Sequence, residues 1–283
     1  MTSTQDNAHP RTLLKTEKAP AEPDLVRGGS VNSADGTHIS YLARGSGPVI
    51  VCLHGGLGTA MSMLPLSTHL AADFEVVMVD LRGHGTSDRG PAPADIGRYI
   101  DDIVAVTTAV GPVRALFGYS FGAVIALETA LAAPEAISSL ALYEPPLPIT
   151  YPLPDLTDLE SALHDGHYEQ LLLQQSALGG GFSPAELAAL REDPLWMTKV
   201  AHAPTLLPTM QILSNLPPDL NRYSALDMPT TLITGTASAS YLRRAGDRLT
   251  DAVPGLTHQV LSGQGHHVDH QLLAASLAAF AHR

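Results

Sequence analysis

The chain has 283 residues, of which 45% are hydrophobic and 16% charged, and its formal net charge is −12. That length suits one large α/β domain, or a domain with an insertion, with a sizeable core. The negative charge sets the surface against nucleic acid and anionic membranes, and the single cysteine, Cys52, excludes an internal disulfide framework.

Cys52 lies in an apolar run, which points to a reducing, cytoplasmic compartment. No stretch reaches the ~18 apolar residues of a membrane span. Residues 1–30 lack the apolar core of a secretory signal. The expected partner is a small molecule; a homodimer is compatible with the chain.

Residues 1–26 are polar, carry Pro10, Pro20 and Pro23, and read as a mobile tail. "HISYLAR" (38–44) alternates and predicts an early strand. Continuous apolar runs follow at 48–55, 74–80, 113–118, 137–144 and 229–235, with a weaker one at 257–263. Runs of this kind bounded by Gly, Pro or Asp suit strands covered on both faces. Helix-like segments lie at 60–71, 96–110, 121–133, 239–252 and 268–282. The alternation predicts a doubly wound, mostly parallel α/β sheet. Residues 145–226 break it: they hold short amphipathic pieces (157–178, 184–192), many prolines and no convincing buried strand. This interval is too long for a plain loop and reads as a helical cap over the sheet's C-terminal edge. The core is then 27–144 with 227–283.

Four segments carry chemistry. "HGGLG" (54–58) ends one predicted strand, and "DLRGHGTS" (80–87) ends the next. In the latter, Asp80, Arg82 and Ser87 read as a hydrogen-bonded loop tie. "GYSFG" (118–122) lies between a predicted strand and a predicted helix. This G-x-S-x-G holds Ser120 on a sharp turn as a nucleophile, with the Phe121 N–H at the helix start aimed where an oxyanion forms. "GQGHHVDH" (263–270) follows the last strand, and His266 is the expected base, with His267 as the alternative. Its histidines and Asp269 could also be read as metal ligands, but no second ligand group is evident, so no metal and no cofactor are expected.

In this order the segments resemble the α/β-hydrolase superfamily over roughly residues 36–283. The resemblance implies that fold, with a helical cap after its sixth strand. It also implies a second oxyanion donor from the His54 loop, at the N–H of Gly56 or, as runner-up, Leu57. The superfamily's triad runs Ser, then Asp or Glu, then His. Its acid usually follows the strand that here is "TTLITG", at positions equivalent to Ala237 and Ser238, and neither is acidic.

The strand after the nucleophile strand also ends beside the histidine loop in such a sheet. It ends in Glu144, stiffened by Pro145 and Pro146. Some haloalkane dehalogenases and the zearalenone-type lactonases carry a Glu there, and "LALYEPPLP" resembles the lactonase segment. The chain departs from those lactonases in carrying His54, so a shared substrate does not follow. Asp227, Asp247 and Asp269 are the rival acids.

The expected activity is hydrolysis of an ester or lactone by Ser120, His266 and Glu144 through an acyl-enzyme. Leu57, Tyr119, Leu147, Tyr151, Trp196 and Met197 are the candidate substrate contacts. A thioesterase or C–C bond hydrolase is the alternative within enzymes. A ligand-binding receptor that has lost turnover is the alternative outside them.

Overall fold

The apolar runs become strands. The computed structural model describes residues 25–91, 95–179 and 181–283. The tail expected at 1–26 lies outside them up to position 24. Strand β1 (Val26–Asn32) already begins at Val26 and is followed by β2 (His38–Arg44), β3 (Val49–Leu53) and β4 (Glu75–Val79). Helix α1 (Leu64–Leu70) joins β3 to β4, and α2 (Ile96–Val110) leads to β5 (Val113–Tyr119). Helix α3 (Phe121–Ala132) then leads to β6 (Leu140–Tyr143). Five helices follow before the next strand: α4 (Leu156–His164), α5 (Tyr168–Gly179), α6 (Pro184–Arg191), α7 (Trp196–Ala201) and α8 (Leu206–Asn215). The chain closes with β7 (Thr230–Gly235), α9 (Ser240–Ala252), β8 (Thr257–Leu261) and α10 (His270–Ala281).

The strands form one sheet in the order β1-β2-β4-β3-β5-β6-β7-β8. β2 pairs antiparallel with β1 and β4; the pairs from β4 onward are parallel. Side chains alternate across a strand, so each run feeds two cores. Val51, Leu53, Leu116 and Leu142 pack with Val106 of α2, Val124 of α3 and Leu249 of α9. Ile50, Cys52, Phe117 and Tyr143 pack on the other face with Leu66 of α1 and Leu273 of α10. Helix α3 is apolar almost all round because it is buried almost all round.

The run at 257–263 forms β8, whose partly exposed face explains its weaker apolar signal. The early strand β1 was not predicted. It carries Gly28 and Gly29 and alternates between exposed and half-buried. It pairs along its whole length with β2, and Tyr41, opposite Gly29, lays its ring where a Cβ at that glycine would stand. The described residues of 145–226 hold helices and no strand, and Leu172, Leu206 and Leu213 join the core on the α3 side of the sheet. Arg222, at the end of this insert, donates from Nη1 to Glu128 Oε2 of α3 at 2.9 Å.

Candidate active site

The turn between β5 and α3 puts Ser120 at φ 55° and ψ −120°, a conformation that a non-glycine residue holds only under constraint. Two glycines allow it. A Cβ at Gly118 would collide with the Gly122 carbonyl, and one at Gly122 would lie 2.5 Å from the carbonyl oxygens of Leu53 and His54. The Ser120 N–H donates to the Tyr143 carbonyl at 2.8 Å, so the turn is locked to the neighbouring strand.

Register places Glu144 beside it. Tyr119 pairs with Tyr143 and Tyr143 with Ile233, so Ser120 and Glu144 are the next residues out of adjacent strands. Glu144 also has a left-handed φ of 47° and is fully buried. Its Oε1 accepts from the Gly235 N–H at 2.9 Å and from the Ser238 hydroxyl. Its Oε2 faces His266 Nδ1 at 2.8 Å, and His266 Nε2 lies 3.1 Å from Ser120 Oγ. In the tautomer that donates from Nδ1 to Glu144, Nε2 keeps a lone pair facing the serine hydroxyl.

The loop that carries His266 is clamped from below. The hydroxyls of Tyr119 and Tyr143 donate to the carbonyls of His266 and Gly265, and their rings stack with centroids 5.2 Å apart. Burial, with the charge of Glu144 second, pushes both phenols up, so they remain donors. The Ala237 N–H donates to Gln264 O at 2.8 Å. The rival acids sit elsewhere: Asp269 caps α10, Asp247 lies on α9, and Asp227 is exposed ahead of β7. His267 is exposed at the lip of the cavity. Among the described residues no group of three or more His, Cys, Asp or Glu is arranged to hold a metal ion.

The His54 loop faces the serine. A Cβ at Gly55 would lie 3.2 Å from Ser120 Cβ, and one at Gly56 would lie 3.7 Å from Phe121 Cβ. Phe121 opens α3, where backbone N–H groups lack partners within the helix. His54 is buried; its Nδ1 meets the Gly55 carbonyl at 2.7 Å, and its Nε2 accepts from the Leu81 N–H at 3.1 Å. Burial, with the neighbouring His84 second, holds His54 well below the usual histidine range. The loop after β4 is tied as expected: Asp80 accepts from Ala60 N–H at 2.7 Å, and Arg82 is held by both oxygens of Asp102 at 2.7 and 2.6 Å.

Ser120, Phe121 and His266 open onto a cavity of about 340 Å³. Leu172, Phe182, Leu206, Met210 and Leu213 of the insert form an apolar wall. Leu57, Tyr119 and Tyr151 line it as well. Leu147 and Trp196 are packed into the core instead, and Met197 is 71% exposed to solvent. Thr209 on α8 and Gln175 on α5 also line the cavity and carry no signal in the sequence, whereas the apolar Leu206 and Met210 of α8 do. Pro204 and Pro208 obscure the helical signal of α8 in the sequence.

Residues 46–270 match the family described as serine aminopeptidase, S33. The chain belongs to that family. It is an α/β-hydrolase enzyme. An α/β-hydrolase from Sphaerobacter thermophilus DSM 20745 superposes with a TM-score of 0.80 at 31% identity, over 89% of this chain and 99% of that one. The 2-(acetamidomethylene)succinate hydrolase of Mesorhizobium japonicum is 25% identical over 238 residues, 80% of this chain and 84% of that protein. The hydrolase YraK of Bacillus subtilis is 35% identical over 113 residues, and the match spans 39% of this chain and 42% of that relative. Among the described residues, no helix is long and apolar enough to cross a membrane.

Proposed function

We propose that the enzyme hydrolyses an ester or lactone of a small, largely apolar substrate by a Ser120–His266–Glu144 triad, with no cofactor. The observation that carries this reading is the continuous contact from Glu144 Oε2 to His266 Nδ1 at 2.8 Å and from His266 Nε2 to Ser120 Oγ at 3.1 Å, beneath the apolar cavity. His266 takes the proton of Ser120 Oγ as that oxygen attacks the carbonyl. The N–H groups of Phe121 and Gly56 hold the oxyanion, with Leu57 the neighbouring donor. Glu144 keeps the proton on Nδ1 and stabilises the imidazolium. His266 then returns the proton to the departing alcohol, and water, activated the same way, releases the acid.

The helices of 145–226 act as a cap that walls the substrate. Within the cavity lining, the carboxylate is that of Asp193, and it is already paired with Lys199. An aminopeptidase would need such a group for the substrate's ammonium, so this pairing favours a neutral ester or lactone over a peptide. A cytoplasmic setting fits the single, fully buried Cys52. The test is a panel of p-nitrophenyl esters, lactones, thioesters and aminoacyl anilides, assayed with wild type and Ser120→Ala. The expected outcome is turnover of esters or lactones, a loss in kcat of ~10⁴-fold or more in the alanine variant, and fluorophosphonate label on Ser120 alone. Label on another serine, or substantial activity without Ser120, would refute the reading.

A further inference from the structure

Thr209 lies on α8, lines the same cavity as Ser120, and is 2% exposed. Its hydroxyl is buried and has no hydrogen-bond partner among the described residues. Helical threonines ordinarily satisfy that group on the carbonyl four residues back. Thr108, Thr129 and Thr250 do so here, on Val104, Ile125 and Gly246. One turn before Thr209, the Thr205 hydroxyl is also satisfied, by the His202 carbonyl at 2.7 Å. Thr209 forgoes that bond and faces the oxyanion loop. A Cβ built on Gly56 would lie 3.5 Å from Thr209 Cγ2 and 3.9 Å from its Oγ1, and 3.7 Å from Phe121 Cβ. The Thr209 side chain therefore packs beside Gly56, close to where that loop meets Phe121, with its methyl nearer the glycine than its hydroxyl.

A buried hydroxyl without a partner is costly, and it is retained where a ligand completes it. The ligand group that reaches this point in the hydrolytic reading is the oxygen of the carbonyl under attack. We propose that Thr209 donates its hydroxyl proton in a hydrogen bond to that oxygen, as a third donor beside the backbone N–H groups of Gly56 and Phe121. As Ser120 Oγ bonds to the carbonyl carbon, the C=O π pair moves onto the oxygen. The Thr209 bond strengthens as that charge grows, while its proton stays on Oγ1. The donor comes from the insert rather than the sheet, so the insert takes part in the chemistry as well as walling the cavity. This inference rests on Ser120 being the nucleophile.

The experiment compares wild type, Thr209→Val, Thr209→Ala and Thr209→Ser, with folding checked by thermal melts. Two readouts are used: kcat and KM on p-nitrophenyl butyrate, and the rate at which a fluorophosphonate labels Ser120. The phosphonate oxygen occupies the same position as the carbonyl oxygen. Valine keeps the shape of threonine and removes the donor; serine keeps the donor and removes the methyl. The expected result is a ~10- to 100-fold fall in kcat and in labelling rate for Thr209→Val, little change in KM, and near wild-type rates for Thr209→Ser. Thr209→Ala reads the same loss should the valine variant not fold. Wild-type rates in Thr209→Val, or a loss in Thr209→Ser as large as in Thr209→Val, would overturn the proposal, the second by showing that the methyl packing matters. A wild-type enzyme that neither turns over esters nor takes label on Ser120 would instead refute the serine-hydrolase reading itself, and this inference with it.

Discussion

Glu144 is held by more than its histidine. The Gly235 N–H and the Ser238 hydroxyl both donate to Oε1, which leaves Oε2 for His266 Nδ1. Ser238 occupies one of the two positions where the superfamily resemblance places an acid, and there it donates to Glu144 from the neighbouring strand. Removing it leaves the buried carboxylate one hydrogen bond short, held at Oε1 by the Gly235 N–H alone. With the carboxylate less firmly aimed at His266, Ser238→Ala should lower kcat by up to about a hundredfold. Ser238→Thr, which keeps the hydroxyl, should restore much of the rate. Equal rates in wild type and Ser238→Ala, measured on a p-nitrophenyl ester, would contradict the role. This part of the site was only half legible in the sequence. The run ending in Glu144 could be read from composition and order, and the missing acid at Ala237 and Ser238 only from the superfamily resemblance. What the Ser238 hydroxyl donates to depends on how two strand ends meet in space, and no local pattern encodes that.

The elements were legible where burial writes a pattern and obscure where it does not. β3 to β7 are buried on both faces and stand out as apolar runs. β1 is half exposed, with Tyr41 packed across the ladder on Gly29, and its two glycines read as loop. α7 and α8 are short and sit among prolines; α7 packs against α5 and α8 against α4, and it is such packing that sustains short helices. The turn from β5 into α3 is the element on which the site depends most. Gly122→Ala puts a methyl 2.5 Å from the Leu53 and His54 carbonyls, in backbone that cannot rotate away. It should cost about 1–3 kcal/mol or prevent folding, read as a lower melting temperature or insoluble protein. Gly28→Ala is the control: nothing lies within 4 Å of its added Cβ, and it should stay within about 0.5 kcal/mol of wild type. Comparable melting temperatures for the two variants would contradict this account of the turn.

Across the whole molecule, a column of histidines joins the sheet's loops to the insert. The ring centroids of His54 and His84 are 5.0 Å apart, and those of His84 and His202 are 5.3 Å apart. His84 Nε2 lies 3.0 Å from the Gly56 carbonyl, and His202 Nε2 accepts from the Gly85 N–H at 3.0 Å. Burial holds all three below the ordinary histidine value of 6.5, and His258 and His270 are displaced the same way. Below that value the unfolded chain takes up protons that the folded chain refuses, so the stability present above it is lost as pH falls. The melting temperature should be level above about pH 7 and fall steadily from about pH 6.5 towards pH 5. A melting temperature that holds or rises through that window would contradict the neutral column. The general architecture was legible in the sequence: alternating runs, an insert at 145–226 and the order of the motifs. The column was not, because its members stand at 54, 84 and 202 and only the fold brings them together.

The most direct measurement of the central claim is kcat for Glu144→Gln on whichever ester the wild type turns over. The amide fits the same buried space and can still accept from Gly235 and Ser238, but its NH₂ faces His266 Nδ1. That forces the proton onto Nε2, where it blocks the serine hydroxyl, and removes the charge that stabilises the imidazolium. The account predicts a folded protein whose kcat falls by up to ~10⁴-fold. A folded Glu144→Gln enzyme with kcat within about threefold of wild type would contradict it.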